Sequence, residues 1–68
     1  LLMDELFNER IQLAQRLTNL NTFLLDNEND IFRELLIKQQ SIMREYLSVL
    51  NERIKELKDD RHDRLFNR

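Results

Sequence analysis

With 68 residues, a net charge of −2 and no cysteine, glycine or proline, the chain lacks most of the devices that hold a small domain together. Disulfides are excluded, and a single histidine, His62, leaves little for a structural metal. The 11 basic and 13 acidic side chains are interspersed, so charge gives no reason to expect nucleic acid or an anionic membrane surface as a partner.

The first helix is predicted to start near Asp4, a candidate N-cap followed by Glu5, and to run to about Leu25. Leu6, Leu13, Leu17, Leu20 and Leu24 form its inward stripe, continuous with Met3 and interrupted by Arg10. Phe7, Ile11 and Ala14 make a second apolar line beside it, wider than a two-stranded seam requires, which implies more than one neighbouring helix.

The polar run Asp26-Asn27-Glu28-Asn29-Asp30 supplies a turn without glycine. Asn27 is expected in the left-handed conformation past the helix end, and Asn29 or Asp30 is expected to cap the next helix. A second helix then runs from about 31 to 64. Its first half carries two lines, Ile31, Leu35, Ile42, Tyr46 and Val49 beside Leu36, Met43, Leu47 and Leu50, and beyond Leu50 only Ile54 and Leu57 continue. The fold class is therefore all-α: one antiparallel helical hairpin across residues 1–68 with a longer second arm.

Two helices bury too little surface to offset ordering their own chain, which costs roughly 1 to 2 kcal/mol per residue for the backbone alone. Self-association into a dimer or small helical bundle, or docking on another protein, is the expected remedy. Folding the arms about Asn27 and Asn29 sets Leu6 near the level of Leu50, so that Ile54, Leu57, Leu65 and Phe66 pass the end of the first helix uncovered. Leu47, Leu50, Ile54, Leu57, Leu65 and Phe66 are accordingly the candidate interface with a second copy or a protein partner. Phe32, just after the turn, is a candidate staple over the hairpin tip.

The two arms differ in charge. Residues 1–34 carry three basic and seven acidic side chains, net −4, and residues 35–68 carry eight basic and six acidic, net +2.

Residues able to carry chemistry are few. Asp59, Asp60, His62 and Asp63 could put metal ligands on one helical face, against the simpler reading of a solvated helix end, and no metal is expected. Lys58, Arg61, Arg64 and Arg68 form a basic stripe that could read phosphate, but acidic residues three and four positions away make it an ordinary exposed helix face. Arg10, Gln39, Gln40 and Tyr46 sit on or beside the apolar stripes. They read as a polar interface that fixes register, or as a pocket for an anionic ligand. No nucleophile with a base and no carboxylate pair in a cleft is evident, so neither an enzyme nor a cofactor is expected.

No apolar run approaches the roughly 20 residues that span a bilayer, and no signal-peptide pattern is present, which makes the cytoplasm the expected location. The opening Leu1-Leu2-Met3 leaves two expectations, a start at Met3 or a piece of a longer protein.

The order Arg16-Leu17-x-x-Leu20-x-x-Phe23-Leu24, a short acidic connection, then Leu35-Leu36-x-x-Gln39-x-x-x-Met43-x-x-Tyr46-x-x-x-Leu50-x-x-Arg53-Ile54 resembles small helical-hairpin proteins encoded by bacteriophages and prophages. The resemblance covers about residues 10 to 57 and implies no general biochemical activity. It does imply a phage-type setting, in which such chains bind and redirect a host or defence protein. The expected function is that of a non-catalytic, oligomeric adaptor or inhibitor in the host cytoplasm, presenting a helical face. Two alternatives stand beside it: a sponge or sensor for a small anionic ligand such as a nucleotide, held between protomers, and a structural coiled-coil segment of a larger assembly.

Overall fold

In a computed structural model the backbone is described for residues 3–66 and the side chains for residues 3–58. Two helices, α1 (Met3–Asp26) and α2 (Arg33–Phe66), fold into an antiparallel hairpin, and no strand occurs among the described residues. At 1.5 Å per residue α1 is about 36 Å long and α2 about 51 Å, consistent with a rod of 59 × 17 × 16 Å.

Helix α1 begins at Met3, so Asp4 lies inside its first turn. It therefore acts with Glu5 as negative charge at the positive end of the helix dipole, and not as the expected N-cap. Leu6, Leu13, Leu17 and Leu24 are the buried residues of α1, spaced seven, four and seven apart as one helical face demands, while Leu20 is half-buried.

Side chains close the connection without a left-handed residue. No residue has a positive φ among those described, so Asn27 does not take the expected left-handed conformation. Its amide instead donates back to the Phe23 carbonyl at 2.9 Å. The Arg33 guanidinium reaches across from α2 and donates to the Leu24 carbonyl at 2.7 Å and the Asn27 carbonyl at 3.4 Å. The carbonyl end of α1, which would otherwise be left unsatisfied, thus receives a cation from the neighbouring helix. Of the two capping candidates it is Asp30 that serves: its carboxylate accepts from the Phe32 backbone N–H at 2.7 Å, and its carbonyl accepts from the Arg33 N–H at 3.1 Å.

Ile31 and Phe32 therefore stay outside the helix and the connection spans residues 27–32. This moves the pairing of the arms. Arg10 faces Asn51 and Asn21 faces Gln40, so Leu6 lies level with the region of Ile54, one turn further along α2 than the expected level of Leu50. Ile54 is 3% exposed and Leu50 is fully buried, in a cluster with Leu6 and Leu13 that Met3, Phe7, Met43, Leu47 and Leu57 flank. The expected overhang from Ile54 onward is corrected accordingly. Leu50 and Ile54 belong to the hairpin's own core, Leu57 packs against it, and α2 extends past α1 only beyond Leu57. Leu65 and Phe66 lie outside the residues whose side chains are described.

Two predictions test this register. Leu50→Asp forces a carboxylate into the closed core and is expected to cost at least about 3 kcal/mol, read as lost helicity and an earlier urea midpoint. Arg33→Ala removes the cation from the end of α1 and is expected to cost about 1 kcal/mol. Faster amide exchange at the connection should accompany that loss, whereas the exposed control Lys55→Ala should leave both readings unchanged.

Candidate partner-binding surface

The core uses only one face of α2. Ile31, Leu35, Ile42, Tyr46 and Val49, the second apolar line of that helix and the turn before it, lie on the outside, with Ile31 88% and Leu35 65% exposed. Phe23 on α1 and Phe32 in the connection are exposed as well. Large apolar groups lined up in contact with water along the first half of a helix form a candidate interaction surface.

Helix α1 has its own outer surface. Ile11, Ala14, Gln15, Thr18 and Asn19 line a shallow groove of about 530 Å³. Ala14 and Thr18 keep its floor low and Ile11 gives it an apolar wall, a shape suited to a helix or an extended segment.

A third feature lies beside the connection. Asn21, Leu24, Leu25, Arg33, Ile37, Gln40 and Arg44 enclose a notch of about 390 Å³ with two guanidinium groups on its rim. Sequence reasoning did not assign Arg33, Arg44 or Ile37 to a site. The available signal was Arg33 itself, a cation next to the acidic connection and in the first turn of a helix, where the dipole favours negative charge.

The four polar residues expected to form one interface or pocket are dispersed. Arg10 donates to Asn51 at 3.4 Å and lies over the Phe7 ring at 5.2 Å from its centroid, near the open end of the hairpin. Gln40 donates to Asn21 near the turn. The Tyr46 hydroxyl donates to the Glu9 carboxylate on the opposite side of the hairpin from both, and Gln39 contacts the Met43 sulfur at 3.8 Å within α2. Each ties the helices together or lies along one of them, and the four do not converge. Lys58 also approaches the Phe7 ring, 5.3 Å from the centroid, so two cations share that ring.

Among the described residues no group of three or more histidine, cysteine or acidic side chains could hold a metal ion. Asp59, Asp60, His62 and Asp63 fall outside the described side chains, as do Arg61, Arg64 and Arg68 of the basic stripe. None of the described helices is long and apolar enough to cross a membrane.

A short all-α hairpin that turns one apolar face inward and leaves a second along α2 in solvent defines a small helical-hairpin protein. More particularly, the chain belongs to the Sequestin family, whose family model matches residues 2–56. That span includes both arms of the paired hairpin and the whole exposed stripe, and the family's name points to binding or sequestering, with no catalytic family indicated. Neither a curated protein nor a solved structure matches the chain.

The Phe7 ring gives a prediction for this surface. Phe7→Leu preserves apolar contact with the core but removes the aromatic face shared by Arg10 and Lys58, and is expected to cost about 1 kcal/mol in urea unfolding. Arg10→Met should cost less in the Phe7→Leu background than in the wild-type background.

Proposed function

We propose that the chain is a non-catalytic interaction protein that binds and sequesters a protein partner through a helical face. The observation that carries this reading is the outward stripe of large apolar side chains on α2 together with the groove on α1, on a protein that fills its own core with the opposite faces. Membership of the Sequestin family supports a binding role. The proposed setting is that of a phage-type adaptor or inhibitor acting on a host or defence protein in the host cytoplasm, where a stoichiometric binder needs affinity and no turnover. The α1 groove is the proposed seat for the partner, because its small floor residues admit a helix to close packing.

Affinity capture on the immobilised full chain tests this. A host protein retained by the wild type and lost with Ala14→Arg, which fills the groove without entering the core, is the expected result. Identical retention by the variant would remove the groove from the reading.

The notch at the connection supports a second reading, a sponge for a small anionic ligand, since Arg44 lines it together with Arg33, whose guanidinium also holds the end of α1, and with the paired amides of Gln40 and Asn21. Under this reading nucleotides raise the thermal midpoint of the wild type, and Arg44→Ala abolishes the rise. An unchanged midpoint, with no heat of binding by calorimetry, would leave the protein-partner reading alone.

A further inference from the structure

The exposed stripe on α2 has an internal order that a general binding face does not need. Leu35, Ile42 and Val49 recur every seven residues, and Gln39, Tyr46 and Arg53 recur every seven residues four positions later. Together they are the two inward positions of a coiled-coil heptad, on a face of α2 that α1 leaves largely exposed, with Arg53 half-buried and the Tyr46 hydroxyl reaching Glu9 of α1 at its edge. Lys38, Glu45 and Glu52 occupy the position flanking this seam on the side away from α1, again seven apart, the first two of opposite charge.

We propose that two copies of the chain pair through this face, α2 antiparallel to α2, about a twofold axis between Gln40 and Ser41. In that register Leu35 packs on the partner's Tyr46, Gln39 on the partner's Ile42, and Val49 on the partner's Phe32, which accounts for the exposure of Phe32 in the single hairpin. Antiparallel coiled helices bring equivalent flanking positions together, so Lys38 meets the partner's Glu45 and, by symmetry, Glu45 meets the partner's Lys38. Arg53 reaches the level of the partner's connection, where Asp26, Glu28 and Asp30 supply negative charge.

The charge pattern decides between a second copy and an unrelated helix. An isologous contact requires a surface to be complementary to its own reversal, and the flanking residues Lys38 and Glu45 meet this on either side of the axis, while Glu52, one heptad further on, lies beside the oppositely charged Arg53. Reversed, Lys38 meets the partner's Glu45, Glu45 meets the partner's Lys38, and the acidic connection faces the partner's Arg53 and the partner's Glu52. A parallel in-register pair instead sets Arg53 on Arg53 and leaves Lys38 and Glu45 without opposite-charge partners across the seam. Gln39, next to the axis, supplies the polar layer that fixes register in such seams. The α1 groove lies on the other helix and stays open in the dimer.

The test is the dissociation constant of the full chain by sedimentation over a range of concentrations, with helicity followed by circular dichroism. The wild type is expected to form a reversible dimer. Lys38→Glu and Glu45→Lys, which each turn two attractive contacts into repulsive ones, are each expected to weaken it about tenfold. Mixing the two variants in equal amounts should restore the wild-type constant in a heterodimer, because both contacts are again between opposite charges. If a reversal lowers helicity, Lys38→Gln and Glu45→Gln make the same test with a smaller loss. A wild type that stays monomeric, a dimer indifferent to both reversals, or weakened variants that do not recover on mixing overturns the proposal. Dimerisation and partner capture are separate readings, since Ala14→Arg lies off the seam and the reversals lie outside the groove.

Discussion

The hairpin depends on how its connection ends one helix and starts the next. Arg33 is the first residue of α2, and its guanidinium also donates to the Leu24 carbonyl in the last turn of α1, so one residue ties the end of the first helix to the start of the second. Asp30 fixes where α2 can begin by holding the Phe32 and Arg33 backbone N–H groups in a turn. Everything beyond follows from that starting point, because a helix has no freedom of register once its first turn is placed. With α2 starting at Arg33, Leu50 and Ile54 arrive opposite Leu6 and Leu13, and the best-closed part of the core forms at the open end of the hairpin, far from the turn.

That geometry divides the apolar residues in two. One line on each helix is consumed by the pairing of the arms, and the core so formed is a narrow one with few fully buried side chains. Burial at about 25 cal/mol per Å² cannot, over so small a core, offset the ordering of two long helices. The second lines, Ile11 and Ala14 on α1 beyond the core-packed Phe7, and Leu35, Ile42, Tyr46 and Val49 on α2, leave apolar surface outside the core. They emerge on different sides of the hairpin, because in an antiparallel pair the two lines rotate away from the contact in opposite senses. Two outer surfaces, not one, are therefore available for association.

The helices and their hairpin pairing were legible in the sequence because they rest on spacing alone: Leu6, Leu13, Leu17 and Leu24 must share a face whatever the turn does. The turn itself was not. Asn27 and Asn29 suggested a left-handed stop, whereas Asn27 turned its amide back onto Phe23 and Asp30 held two further residues out of the helix. Side-chain caps of this kind depend on where a guanidinium nine residues away comes to rest, which no local pattern records. A short displacement there moves every cross-helix contact by one turn, which is why Ile54 is a core residue and not part of an overhang. The polar residues were recognised as lying beside the seams, but Arg10 and Tyr46 bridge opposite sides of the hairpin and so cannot share a pocket.

Charge then separates what apolar contact alone leaves equivalent. The turn and the first arm carry most of the acidic excess, whereas basic residues predominate along the second arm. Hydrophobic burial is non-directional and would accept many pairings of the exposed lines, but like charges set opposite one another at close range remove most of them. On α2 Lys38 and Glu45, which flank the apolar line, match a reversed copy of the same helix, whereas the α1 groove is lined by the uncharged residues Ile11, Ala14, Gln15, Thr18 and Asn19 and carries no such internal complement. A surface complementary to itself is suited to fixing an assembly, and a neutral groove with a small-residue floor is suited to accepting a different chain. Joining two hairpins through the first surface would present two copies of the second, so a target with two matching segments would be held with an effective concentration set by the rigid spacing of the grooves. Sequestration gains from that arrangement because the second contact is made without a further loss of translational freedom.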